Sequence, residues 1–137
     1  MHRPLRLLSE AGASFALMPV PDLSGAEPLI VDIELLSPDR LVRYLARPLE
    51  AGTATRLVEA FWQAAVDPHP ELTVPTVQDD AAGLAILVKG SDTRDVLLEI
   101  LVLDDLESEL PDHDGISFDV RQQSLIDAAH LLEEWIR

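Results

Sequence analysis

Carboxylates crowd one short stretch of the sequence, next to a histidine. Asp112, His113 and Asp114 place two carboxylates and an imidazole side by side. Hard cations such as calcium prefer several oxygen ligands on a flexible loop, so these residue types suit a cation. The spacing departs from the D-x-[DN]-x-[DN]-G calcium loop, and His69 and His130 are isolated, without H-E-x-x-H spacing. We therefore expect incidental surface residues here and no metal site.

Other acids are also adjacent in pairs, which is the chemistry that general acid and base catalysis uses. Asp79 with Asp80 and Asp104 with Asp105 are examples, but such pairs arise by chance in so acidic a chain. Neither G-x-S-x-G, G-x-x-x-x-G-K-[ST] nor G-x-G-x-x-G occurs, and there is no cysteine for thiolate chemistry. We predict no catalytic residues, no cofactor and a protein that is not an enzyme.

The composition is that of a folded acidic domain. The 137 residues include 25 Asp and Glu against 10 Lys and Arg, a formal net charge of −15, yet 47% of the residues are hydrophobic. Disorder needs low hydrophobicity together with high charge, so this chain should fold, and its length suits one domain over residues 1–137. Phosphate contacts need clustered Lys and Arg. Nucleic acid and anionic membranes are therefore excluded as expected partners, and a basic protein is favoured.

The start of the chain does not have the pattern of a secretory signal. Arg3 and Arg6 precede an apolar run over residues 11–20, but Glu10 interrupts the approach and Pro19 closes the run. No stretch approaches the roughly 18 uncharged apolar residues of a membrane helix. We expect a cytoplasmic protein.

Most of the negative charge lies in the second half of the chain. Residues 1–66 carry a net −2 and residues 67–137 a net −13. Six acids fall within eleven residues, which we call the acidic segment (residues 104–114): Asp104, Asp105, Glu107, Glu109, Asp112 and Asp114. Pro111 and the turn-forming composition predict a loop. The segment is either a solvated loop that keeps the protein soluble or a docking surface for a cationic partner.

Three further residues join the candidate docking set. Asp79 and Asp80 add acids from the same half, and Trp62 is a candidate anchor because Trp is enriched at binding hot spots. Trp62 lies about 80° from the centre of its helix's apolar stripe at about 100° per residue, so it should be partly exposed. The alternative is that it flanks the core without binding anything.

Hydrophobic periodicity predicts strands in both halves, each followed by a helix. A hairpin should form from strands 29–36 and 40–47, with Arg43 and Arg47 on the same face of the second strand. A helix should follow over residues 53–66. In the second half of the chain, the hydrophobic pattern predicts strands over these ranges: 72–78, 84–89, 95–103 and 116–120.

The final helix should begin at Ser124, with Asp127 completing a capping box. The order strands, helix, strands, helix predicts an α+β fold: a mostly antiparallel sheet in two hairpin-rich halves, with two amphipathic helices covering one face. No internal repeat is evident in the sequence.

The order of these patterns is itself informative. An alternating strand pair over residues 29–47 leads into a short helix through Leu57 and Phe61, then an apolar strand pair, then Gly115-Ile116-Ser117-Phe118-Asp119-Val120 before the last helix. This layout resembles the WapI-type immunity family and related small bacterial domains over residues 25–137. The resemblance implies a non-enzymatic protein that neutralises a toxin, often a nuclease, made by the same cell.

The first hypothesis is therefore an acidic immunity protein that occludes the basic surface of a toxin through the acidic segment. A structural or homo-oligomerising domain is the alternative, with a homodimer formed through Leu97, Leu101 and Leu103. A third hypothesis is a metal-assisted hydrolase that uses the loop from Asp112 to Asp114.

Overall fold

The structure is a computed structural model that describes residues 3–20, 29–66, 76–89, 95–109 and 112–136. These residues form eight strands and two helices. The strands are β1 (Leu5–Leu8), β2 (Ser14–Pro19), β3 (Leu29–Ser37), β4 (Arg40–Leu49), β5 (Thr76–Asp79), β6 (Leu84–Lys89), β7 (Asp95–Leu103) and β8 (His113–Arg121). Helix α1 (Thr53–Val66) lies between β4 and β5, and helix α2 (Gln122–Trp135) follows β8. The part of the predicted strand 72–78 that precedes Thr76 lies outside the described residues.

The strands form two antiparallel sheets of four strands each. Sheet A has the order β1-β2-β3-β4 and sheet B the order β5-β6-β7-β8. Within each sheet, every strand pairs with the strands that precede and follow it in the sequence. The predicted α+β class and the order strands, helix, strands, helix are confirmed. The architecture also repeats, because four strands and a helix occur twice. No repeat is evident in the sequence, since polarity patterns can recur without identical residues.

Side chains alternate between the two faces of each sheet, as a period of two requires. In β3, Val31 and Ile33 are fully buried while Asp32 and Glu34 are half-buried on the other face. β7 lies between β6 and β8, which agrees with its apolar residues on both faces. Its inward face is completely buried: Val96, Leu98, Ile100 and Val102.

The two helices pack chiefly on each other, and the strands that each one contacts most belong to the sheet of the other half. α1 contacts β5 and β6, whereas α2 contacts β1 and the end of its own sheet at β8, and the helices also pack on each other. Trp135 of α2 donates its indole N–H to the carbonyl of Arg3 at 3.0 Å. Neither α1 nor α2, which are the helices of the described residues, has the length and apolarity to cross a membrane. Large helical side chains are fully buried in this core: Leu57, Phe61, Leu125 and Leu132.

β4 departs from simple alternation at Ala46. The register with β3 shifts opposite this point, and Ala46 has a φ of 54°. The Asp32 carboxylate accepts the Ala46 N–H at 2.8 Å, which stabilises the resulting bulge. The extra residue reverses the side-chain direction, so Arg47 points inward and is 8% exposed. The prediction that Arg47 shares a face with Arg43 is therefore wrong.

α2 begins earlier than predicted. Its first residue is Gln122, and Arg121 occupies the N-cap position without a side-chain hydrogen bond. Ser124 lies inside the first turn, so the predicted capping box with Asp127 does not form. β8 is also longer than predicted, because it starts within the acidic segment and leads directly into α2.

Candidate docking surface

Hydrogen bonds join the acidic segment where it leaves β7 to the point where it enters β8. The N–H of Asp104 donates to the carbonyl of Asp112 at 3.0 Å, and the N–H of Asp112 donates to Oδ1 of Asp104 at 3.1 Å. Nearer the tip, the N–H of Glu107 donates to Oδ1 of Asp105 at 3.0 Å. These bonds hold the two ends of the segment together, so its carboxylates extend from a loop with fixed ends.

Five carboxylates of the segment are exposed, and we call them the acidic surface: Asp104, Asp105, Glu107, Glu109 and Asp112. None of the five forms an ion pair with another residue of the described ranges. Their charges are therefore not neutralised by neighbours in this part of the chain. The structure brings together the residues that the sequence grouped, with the exception of Asp114.

A buried arginine attaches the base of the acidic segment to sheet A. Nη1 of Arg47 donates to the carbonyl of Ala82 at 2.9 Å, and Nη2 donates to the carbonyl of Asp104 at 3.3 Å. The guanidinium also lies 5.0 Å from the centre of the Tyr44 ring. A guanidinium has five N–H donors in a plane, so one side chain joins two carbonyls of the second half to β4. The sequence carries no signal for this contact, because the bulge at Ala46 creates it.

Asp114 differs from the acidic surface because its carboxylate has partners in sheet A. Its side chain is half-buried, and Oδ1 accepts a bond from Nη2 of Arg40 at 2.9 Å. Its Oδ2 accepts the hydroxyl of Tyr44. Both donors belong to β4, so this carboxylate joins sheet A to sheet B. Its position favours a structural role over contact with a partner.

Burial raises the pKa of Tyr44 above the ordinary tyrosine value, and the hydrogen bond to Asp114 and the charge of that carboxylate raise it further. The folded protein therefore favours the neutral phenol. A group whose folded pKa is raised stabilises the fold fully below its unfolded pKa, which is about 10 for tyrosine. That contribution is lost as the pH rises beyond this value.

We expect this loss to be measurable in alkaline solution. Tyr44 is the single tyrosine of the chain, so the absorbance of tyrosinate reports on it alone. The folded protein should titrate at higher pH than the urea-unfolded chain, and Tyr44→Phe should lessen the fall in unfolding free energy above about pH 10. Coincident titration curves for folded and unfolded protein would contradict the expectation.

Asp79 is not available to a partner. Its carboxylate is 1% exposed and accepts the N–H of Glu50 at 2.8 Å, the hydroxyl of Thr53 at 2.7 Å and the N–H of Ala82 at 2.9 Å. It thereby joins the start of α1 to the turn between β5 and β6. The prediction that Asp79 belongs to a docking surface is wrong. The alternation of β5 predicts that Asp79 is buried, because Asp79 lies two residues after Val77 and therefore on the same inward face.

Asp80, by contrast, is exposed. Its carboxylate accepts the side-chain amide of Gln78 at 2.9 Å. Asp80 and His113 line the same small cavity of about 110 Å³, so Asp80 lies beside the acidic segment. It therefore extends the negative charge of this side of sheet B.

Trp62 belongs to the contact between the helices. Its indole N–H donates to Oε1 of Glu133 at 3.2 Å, and its ring meets the edge of His130 with 5.2 Å between centres. The side chain is half-buried against the core, as its position on α1 predicts. Its named polar and aromatic partners are all on α2, so it is not gathered with the acidic segment.

Two further features bear on the hypothesis of a metal-assisted hydrolase. Over the described ranges, no group of three or more potential ligands comes together as a metal ion requires. A cleft of about 650 Å³ lies between the β1–β2 turn and β8, with Leu8 and Phe118 in its walls. Arg121 and Glu10 form an ion pair at this cleft.

Comparisons of the chain with protein-family models, with curated proteins and with solved structures found no match. The resemblance to the WapI-type immunity family therefore stays a prediction, and the functional argument rests on the residues described above.

Proposed function

We propose that this chain is a non-enzymatic immunity-type protein that neutralises a toxin, such as a nuclease, by covering its basic site. The observation that carries the proposal is the acidic surface. Five exposed carboxylates extend from one loop, without ion-pair partners among the described residues. A site that binds phosphates is necessarily basic, so an array of carboxylates is complementary to it.

Long-range attraction is the first contribution we expect from this surface. Clustered charge of one sign raises association rates by about 10- to 1,000-fold when the partner has the opposite sign. Of the formal net charge of −15, −13 belongs to residues 67–137, and the acidic surface is part of that half of the chain. An immunity protein benefits from rapid capture, because free toxin acts while it remains unbound.

Preorganisation is the second contribution. Ordering a flexible loop at an interface costs binding free energy. Here the turn bonds between Asp104 and Asp112, together with the Arg47 contact, fix the ends of the acidic segment before a partner arrives. These two ends therefore need little further ordering when the segment binds.

The test is charge reversal on the acidic surface. A variant with Asp104→Lys, Asp105→Lys, Glu107→Lys and Glu109→Lys should associate at least about tenfold more slowly at low salt with a basic nuclease toxin domain. The rate for the unaltered protein should fall as salt is added, because screening weakens attraction between exposed charges. Stopped-flow fluorescence measures both.

A matched control separates location from total charge. It carries the same four-residue reversal at exposed acids outside the segment: Asp39, Glu59, Asp119 and Asp127. The control should retain most of the association rate. Equal effects in the two variants, or an unaltered protein without salt dependence, would overturn the proposed docking surface.

A further inference from the structure

Large apolar side chains are exposed on the outward face of sheet A, the face turned away from the helices. Leu8 of β1 is 63% exposed, and Leu41 and Leu45 of β4 are 56% and 66% exposed. Isolated exposed leucines are ordinary, whereas several on one sheet face indicate a contact surface. Leu8 lies on one edge strand of the sheet and Leu41 and Leu45 lie on the other, whereas Ser14 and Ala16 of β2 between them are buried beneath their larger neighbours.

The strand register shows how the face is built. Leu8 pairs with Ser14, Ser14 with Leu36, and Leu36 with Leu41, which makes one row across all four strands. The small Ser14 leaves the larger leucines on either side prominent. Leu45 lies further along β4 and points the same way, since the alternation that turns Tyr44 inward turns its neighbour outward.

The charges on this face neutralise one another. Glu34 forms ion pairs with Arg43 at 2.8 Å and with Arg6 at 4.0 Å, and the carboxylate of Asp32 accepts the N–H of Ala46. Two arginines and two acids give the face no formal net charge. The outward face of sheet B differs, since Glu99 and Asp119 lie on it and the acidic segment borders it.

We propose that this face binds a second copy of the same chain, with the outward faces of two sheets A packed together about a twofold axis. Two chains with a net charge of −15 repel each other, so they can approach closely only through surfaces without excess charge. The outward face of sheet A meets that condition. An isologous contact also places each Leu41 and Leu45 against the apolar face of the partner copy.

The size of the face supports the same occupant. Four strands at a spacing of about 4.8 Å, averaging about seven residues at about 3.3 Å each, give a plan area near 450 Å². The accessible area of a face with projecting side chains is larger than its plan. The plan area alone is about three quarters of the roughly 600 Å² that the smallest specific interfaces bury on each partner.

Sedimentation equilibrium of the full chain tests the proposal. We expect a species of twice the 15.1 kDa chain mass that dissociates on dilution. The double variant Leu41→Glu and Leu45→Glu should dimerise at least about tenfold more weakly, because it places unpaired charges in the contact. Both positions are exposed in the single chain, so circular dichroism should show an unchanged fold.

The control variant carries Val66→Glu and Ile136→Glu, which have the same charge change at apolar positions that are 74% and 49% exposed but lie off sheet A. It should dimerise like the unaltered protein. A monomer at about 100 μM, where even a weak specific interface is populated, would overturn the proposal. A dimer that persists in the Leu41 and Leu45 variant would overturn it as well.

Salt distinguishes this proposal from the proposed function. Raising the ionic strength from about 0.01 M to about 0.15 M shortens the Debye length from about 30 Å to about 8 Å. Repulsion between two acidic chains weakens, so the dimer should tighten, whereas attraction between the acidic surface and a basic toxin should weaken. The dimer face shares no residue with the acidic surface, so either result can fail without the other.

Discussion

Replacing Asp79 with alanine should lower the free energy of unfolding by about 4 kcal/mol, because hydrogen bonds to a buried charged group contribute about 1.5–3 kcal/mol each and are only partly additive. The substitution removes the acceptor of three donors at once: the N–H of Glu50, the hydroxyl of Thr53 and the N–H of Ala82. Asp79→Asn keeps the size of the side chain and should cost less. Urea denaturation followed by circular dichroism measures the change.

The neighbouring residue provides a matched control. Asp80 carries the same charge, is exposed and bonds to one side-chain amide. Asp80→Asn should change the unfolding free energy by less than about 0.5 kcal/mol, as substitutions at solvated positions do. Similar losses at Asp79 and Asp80 would show that charge, and not the buried bonds, is responsible.

Alanine at Gly83 should cost about 3 kcal/mol of unfolding free energy, from a left-handed backbone that disfavours a side chain and from overpacking. The φ of Gly83 is +68°, and an added Cβ would lie 2.6 Å from a methyl carbon of Leu106 and 3.1 Å from Nη1 of Arg47 and Cβ of Leu103. Leu106 can move because it is a loop side chain. Arg47 and Leu103 hold the acidic segment to the sheets and have less freedom.

Gly52 is the control for the backbone component. Its φ is +90°, but nothing lies within 4 Å of the position where Cβ would be. Gly52→Ala should therefore cost about 1 kcal/mol, from conformation alone. Chemical denaturation of both variants gives the difference, and equal losses would mean that crowding at Gly83 contributes nothing.

Gly83→Ala also bears on the acidic surface. Because the added methyl group would press on Arg47, it should loosen the contact of that guanidinium with the carbonyl of Asp104. Hydrogen exchange at the N–H of Asp104 and Asp112 should then become faster than in Gly52→Ala. This readout separates loss of local order from loss of global stability.

The elements with strong periodicity were predictable from the sequence. β3 alternates apolar and acidic residues from Val31 to Leu35, so its buried face follows from the period of two, whereas β7 is apolar on both faces, which predicts a strand between two others. α1 follows from its apolar stripe. The inward position of Asp79 follows from the same rule, applied to Val77 two residues before it. That prediction failed because the adjacent acids were treated as a surface pair, without regard to the strand that contains them.

Contacts between the two halves were not predictable. Tyr44 and Asp114 are 70 positions apart in the sequence, and only the arrangement of the two sheets brings them together. Arg47 turns inward because Ala46 adopts a left-handed backbone conformation. Alanine rarely takes this conformation, so the sequence does not predict it. Of the predicted docking set, Asp114 and Asp79 are bound within the protein, whereas Asp80 and the acidic surface are exposed.

The packing of each helix on the other half's sheet has a consequence for synthesis. α1 leaves the ribosome before β5 and β6, the strands it covers, have been made. β1 is among the first strands to emerge, yet α2, which packs on it, is the last element of the described chain. During synthesis the first four strands and α1 therefore expose apolar surface that their later partners cover in the folded protein. Exposed apolar surface of this kind promotes aggregation. Native packing is complete only when the final turns of α2 become available, so the chain folds as a whole and late.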